Sequence, residues 1–193
     1  MILTFLKRDS QIFKAKWRHY FPSWLFFFLI LFVMNMVQFD QSTVFFILFF
    51  VVVLTLKDTF VVDQDYGLFN MLISEKTFLP YYVFSKIISS ILYVLLPLLC
   101  TIQIFAPGFD LWLPGIIMTG VSIMGASMQT TKNMSWLLHL MLLPFMIPIF
   151  LLLDMHLSNR IDGCTMSLIF SGLALIYLPL SILFSTLCLK RGD

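Results

Sequence analysis

The side chains that perform covalent or metal chemistry in proteins are few in this sequence, and none is spaced for it. His19, His139 and His156 fall in three separate segments, so spacing builds no shared metal site from them. Cys100, Cys164 and Cys188 are an odd set without C-x-x-C spacing, each within or beside an apolar run, which argues against a disulfide framework or a thiolate metal centre. No Walker A run, G-x-S-x-G, H-E-x-x-H or dinucleotide fingerprint occurs. The chain is therefore not expected to be an enzyme, and any ATP hydrolysis it uses must come from a partner subunit. Met155 and His156, read as an outer loop, are types that can ligate haem iron. A lone loop histidine is as a rule only solvated. No directly bound cofactor is expected.

What must position any functional group is a set of membrane helices. Of the 193 residues, 60% are hydrophobic, 17% aromatic and 11% charged, and the mean hydropathy is +0.97. A soluble core needs a polar shell that these runs do not provide, whereas a bilayer accepts helices apolar on every face. Nucleic acid binding is not suggested. The first apolar run follows a long basic segment without a small-residue cleavage site, so it is expected to stay as an anchor. Six stretches, 22–39, 43–56, 81–106, 111–131, 134–153 and 164–189, are each candidates to cross the roughly 30 Å hydrocarbon layer. With the N-terminus inside, eleven of the twelve Lys and Arg fall on the inner side and only Arg160 outside. That partition favours six spans with both termini cytoplasmic.

Within those spans, Pro97, Pro144, Pro148 and Pro179 each remove a backbone hydrogen bond and are expected to kink their helices. Pro144 and Pro148, four apart, open one face of the fifth span. Ser85/Ser89, Ser122/Ala126 and Ser181/Ser185 are small pairs at four-residue spacing that permit close helix approach. Gln103, His139, Asn35 and Gln38 are polar groups at or near membrane depth, suited either to function or to a bond with a neighbouring helix.

Two segments outside the spans are amphipathic. In residues 2–20, Thr4, Lys7, Arg8, Gln11, Lys14 and Arg18 form one stripe, and Ile2, Phe5, Leu6, Ile12, Phe13, Trp17 and Tyr20 the other. This is the pattern of a helix lying in the membrane interface, cations toward headgroups and rings at the acyl boundary. The longest inner connection, Lys57 to Pro80, carries Leu68, Phe69, Leu72 and Ile73 after Gly67, a short amphipathic helix that either rests on lipid or docks in a groove of a cytoplasmic partner.

The spaced pattern Phe60-x-x-Asp63-x-x-x-Gly67, followed by Phe69, Leu72, Pro80 and Lys86, resembles CcmB, the permease subunit of the ABC-type complex of cytochrome c maturation, also called haem exporter protein B. The stretch from Gly125 to Leu153, with its turn at Lys132 and Pro144 and Pro148 in LLPFMIP, resembles that family's fourth-to-fifth-span region. Tyr66 and Asn70 stand where the family often has acidic residues, and the last outer loop is short.

The resemblance implies an all-α, ABC-2-like permease half: a single domain over 1–193, with an interfacial helix at 1–21 and a cytoplasmic coupling loop at 57–80. Its implied partners are the ATPase CcmA, which would carry the ATP, then CcmC and CcmD, the haem chaperone CcmE indirectly, a second permease copy and lipid. Haem would be cargo, in a bacterial inner membrane or a mitochondrial one. Phe60, Asp63, Gly67, Leu68, Phe69, Leu72 and Ile73 would couple to the ATPase. Two other readings stay open: an ABC-2 exporter permease for another substrate, and a non-ABC haem-binding assembly factor using His139 and His156.

Overall fold

The computed structural model of the chain describes residues 2–15, 17–37, 41–57, 59–61, 63, 78–105, 111–128, 143–157 and 162–191. Every regular element among them is helical: α1 Ile2–Ala15, α2 Trp17–Val37, α3 Gln41–Leu56, α4 Leu79–Phe105, α5 Trp112–Met128, α6 Leu143–Leu157 and α7 Gly163–Arg191. Of these, α4 and α7 are long and apolar enough to cross a membrane. A third candidate is the pair α1 and α2, whose axes are inclined by 74°. Apolar but shorter are Thr43–Leu56, Trp112–Met128 and Pro144–His156.

The centre of the bundle is α5, whose residues from Ile117 to Ser127 are all buried, with α3, α4, α6 and α7 packed around it. Small side chains let that happen. A Cβ on Gly120 would lie 3.3 Å from Leu178 Cδ2 and 3.4 Å from Ser181 Oγ, so α5 and α7 meet almost backbone to backbone. All six serines and alanines of the expected small pairs are buried. On the α3 side, Phe150 of α6 makes ring contacts with Phe45, Phe46 and Phe49 at 5.1, 5.3 and 6.2 Å. The outer face of α7 is open, with Leu168, Leu175, Ile176, Leu183 and Leu187 all exposed, as suits a helix facing lipid.

The prolines act differently from one another. Ahead of Pro97 the helix widens into a π turn, Ile91–Leu95, and the N–H of Leu96 donates to the carbonyl of Ile91. A proline cannot donate to the carbonyl four residues back and its ring crowds that group, so a widened turn at this point is the physical response. Pro148 and Pro179 lie inside helices. Pro144 stands in the first turn of α6 as described, where a missing N–H costs nothing. The residues before Leu143, on which a kink at Pro144 would turn, lie outside the described residues.

Candidate functional site

Four charges are buried together where α1, the turn after α3 and the start of α4 meet. Asp9 is 5% and Lys86 4% exposed, Asp63 is 1% exposed, and Arg8 is half-buried. Lys86 Nζ bridges the two carboxylates, 2.9 Å from Asp9 Oδ1 and 2.8 Å from Asp63 Oδ2. Arg8 Nη2 lies 2.9 Å from Asp9 Oδ1 and 3.4 Å from Asp63 Oδ2. Two cations face two anions, so the cluster is neutral, which is the condition for charges to stay inside an apolar bundle.

Hydroxyls and rings complete the shell. The phenol of Tyr82 donates to Asp63 Oδ2, and Ser89 Oγ lies 3.3 Å from Asp9 Oδ2. Tyr82 is fully buried. Its ring meets Phe5 edge-on at 5.7 Å and Phe60 at 6.1 Å, while Arg8 and Lys86 stand over its face at 5.5 and 5.6 Å. Beside the cluster opens a cavity of about 40 Å³, lined among others by Asp9, Thr59, Asp63, Lys86 and Ser89, enough for a few waters.

The elements that deliver these groups follow from local sequence. In α1, Asp9 comes four residues after Phe5 and four before Phe13, so all three share one face. That face docks on α4 turn by turn, Phe5 against Tyr82, Asp9 against Lys86 and Ser89, Phe13 against Tyr93 at 4.9 Å. The two helices therefore run in the same direction. Asp63 is carried by turns continuing from α3, held by Thr59 N–H donating to Leu56 and Asp63 N–H to Phe60. Phe13 also stacks on Tyr20 at 5.0 Å and meets Trp17 edge-on at 5.9 Å, ring contacts that join α1 to the start of α2.

The interfacial expectation for residues 1–21 is thus corrected in one respect. Thr4, Lys7, Gln11, Lys14 and Arg18 are exposed as that pattern requires, but Phe5 and Phe13 cover protein instead of lipid, and Arg8 leaves the polar stripe for the cluster. The reason is Asp9. Asp9 stands in the middle of the apolar stripe, and Lys86 offers it a second counter-charge beside Arg8 on the protein side.

Of the residues expected to couple to a partner, Phe60 and Asp63 lie in this cluster, and Gly67, Leu68, Phe69, Leu72 and Ile73 lie outside the described residues, as do His139, Gln38, Lys132 and Arg160. Lys86 belongs to the cluster too, two turns inside α4. Asp9, Tyr82 and Ser89 were not singled out by chemistry. The usable signal was an acid at the centre of an apolar stripe and a lysine inside an apolar run.

His156 and Met155 are not in a loop: α6 continues through Leu157 and holds both in its last turn. The cavity against His156, about 100 Å³ and lined by Leu113, Pro114, Gly163, Met166, Ser167 and Phe170, is well below the roughly 300 Å³ at which small-molecule pockets begin. Gln103 is exposed in the last turn of α4. Among the described residues no three His, Cys, Asp or Glu side chains gather as a metal site. No family model, no curated protein and no solved structure matches the chain.

Proposed function

We propose that this chain is a permease subunit of an ABC-type membrane complex of cytochrome c biogenesis, in which ATP hydrolysis on a partner ATPase drives release of a haem-loaded chaperone or export of haem. One observation supports the reading above others. Phe60, Asp63 and Lys86, three of the positions that carry the CcmB resemblance, come together in one buried cluster. The 2.8 Å ion pair of Asp63 with Lys86 ties the turns after α3 to α4, so a push on those turns would pass into α4 and α1. In this reading α2 to α7 are the six spans of an ABC-2-like half, both termini are cytoplasmic in a bacterial inner membrane, and a second permease copy, CcmA, CcmC and CcmD complete the assembly.

The test is association. Phe69 and Leu72, three apart on one helical face, would be the anchors in the ATPase groove, and truncating such anchors costs about 2 kcal/mol, roughly thirtyfold in affinity. Copurification from membranes is expected to recover an ATPase with the native chain and to lose it with Phe69→Ala and Leu72→Ala together. An inserted double variant that still recovers the ATPase in full removes the coupling role, and native chain that recovers no ATPase removes the permease reading.

A further inference from the structure

The four charges divide along the α1 boundary into two pairs that are each already neutral. On α1, Arg8 Nη2 and Asp9 Oδ1 are 2.9 Å apart. On the body, Asp63 is held by Lys86 at 2.8 Å and by the Tyr82 phenol. The hydrogen bonds and ion pairs seen to cross the boundary are Lys86 to Asp9, Arg8 to Asp63 and Ser89 to Asp9. Lifting α1 away breaks these three and strands no charge on either side, whereas a boundary with both cations on one side would leave two uncompensated charges at each release.

The rest of α1 holds on through its rings, Phe5 on Tyr82 and Phe13 on Tyr93, contacts that strand no charge when they part. Its outward stripe, Thr4, Lys7, Gln11, Lys14 and Arg18, is exposed while docked, and its inward stripe is apolar enough to lie on a bilayer surface. In such a movement α1 would turn about its junction with α2, to which it is inclined by 74°. We propose that α1 is a releasable strap, which closes over the Asp63–Lys86 pair in one state and lies on the inner membrane surface in the other, carrying its own neutral Arg8–Asp9 pair with it. Closed, it covers the node at the mouth of segment 64–77; open, it exposes that node to the inner side.

Ser89 reports on the two states, because it is 6% exposed beneath α1 and Ser89→Cys is nearly isosteric. In full-length chain in nanodiscs, with Cys100, Cys164 and Cys188 replaced by serine, the strap predicts that Cys at 89 reacts slowly but completely with N-ethylmaleimide. Cys at Ser122, buried in α5 and away from α1, stays unreacted over the same time. Arg8→Gln with Asp9→Asn removes the α1 half of the cluster, and is expected to speed labelling at 89 about tenfold or more. Phe13→Ala loosens the stack on Tyr93 without touching a charge and is expected to speed it too. No reaction at 89 in the native background, while denatured chain reacts fully, overturns the strap. So does equal labelling at 89 and 122, which means the whole bundle opens, or a rate at 89 that neither the charge variant nor Phe13→Ala alters.

Discussion

The junction of α1 with α4 and the junction of α5 with α7 both join helices in an apolar chain, one through four charges and the other through glycine and serine. At the first, the side-chain bonds of Asp9, Asp63 and Lys86 all run to a side chain of another segment or to Arg8. At the second, the hydroxyls of Thr119, Ser122 and Ser181 donate to carbonyls of their own helices, 2.9, 2.8 and 2.8 Å away. The charged junction is thus held by identity, since each group needs its counterpart. The α5–α7 seam is held by size, since these three hydroxyls bond within their own helices. In lipid, where apolar burial between helices supplies little drive, the two routes are alternatives.

The largest expected effect separates them at once. Lys86→Met keeps length and removes the charge that both carboxylates share, leaving Asp9 and Asp63 with Arg8 alone. Removing one partner of a buried ion pair costs about 3 to 5 kcal/mol. We expect the variant to accumulate poorly in membranes and to melt well below the native chain in detergent. If it melts within about two degrees of the native chain, the node contributes no stability and the contrast fails.

At the seam the corresponding change is one of volume. Gly120→Leu places a Cβ 3.3 Å from Leu178 and then three more carbons where no space remains, and overpacking of this kind costs about 1 to 3 kcal/mol. The melting temperature is expected to fall, by less than for Lys86→Met. Gly120→Leu with native stability would mean that α7 slides aside freely and that size does not hold the seam.

Sequence periodicity placed the helices well where apolar runs end in polar residues. The expected 43–56 became Gln41–Leu56, 81–106 became Leu79–Phe105 and 164–189 became Gly163–Arg191. At α6, expected over 134–153, residues 134–142 lie outside the described residues and the helix runs on to Leu157, because Asp154 and His156 read as loop residues, yet a helix end bears polar groups readily. The charged node was half legible. Asp63 and Lys86 stood out as spaced positions, but counting Lys86 toward topology hid its partner. Asp9 was invisible to a two-stripe reading that sorted cations and aromatic rings and left the lone acid unsorted. Which segments meet is a tertiary fact that no single helix encodes, and the pairing of residue 9 with residue 86 could be anticipated only by asking what neutralises each buried charge.

Smaller effects sharpen the comparison by holding shape fixed. Tyr82→Phe deletes one oxygen and keeps the ring against Phe5 and Phe60. Asp63 then loses a donor that a buried carboxylate needs, and hydrogen bonds to charged groups are worth about 1.5 to 3 kcal/mol. The chain should insert normally and melt lower. Unchanged melting would show that Lys86 and Arg8 satisfy Asp63 without the phenol.

Ser185→Ala makes the same deletion of one buried oxygen on α7, and the expected result is opposite. Ser185 is fully buried and its Oγ has no hydrogen-bond partner among the described residues. An unsatisfied buried hydroxyl costs about 1 to 3 kcal/mol relative to its bonded state, and alanine removes that cost while keeping the Cβ on which close approach depends. The variant should therefore melt at or slightly above the native temperature, a gain of no more than about 1 kcal/mol, because the hydroxyl has limited freedom to turn toward its own helix. The two variants are best read side by side in one detergent, since each removes a single oxygen from a buried site. A lower melting temperature for Ser185→Ala would mean that this hydroxyl bonds across helices after all, and that polar identity holds the second junction as it does the first.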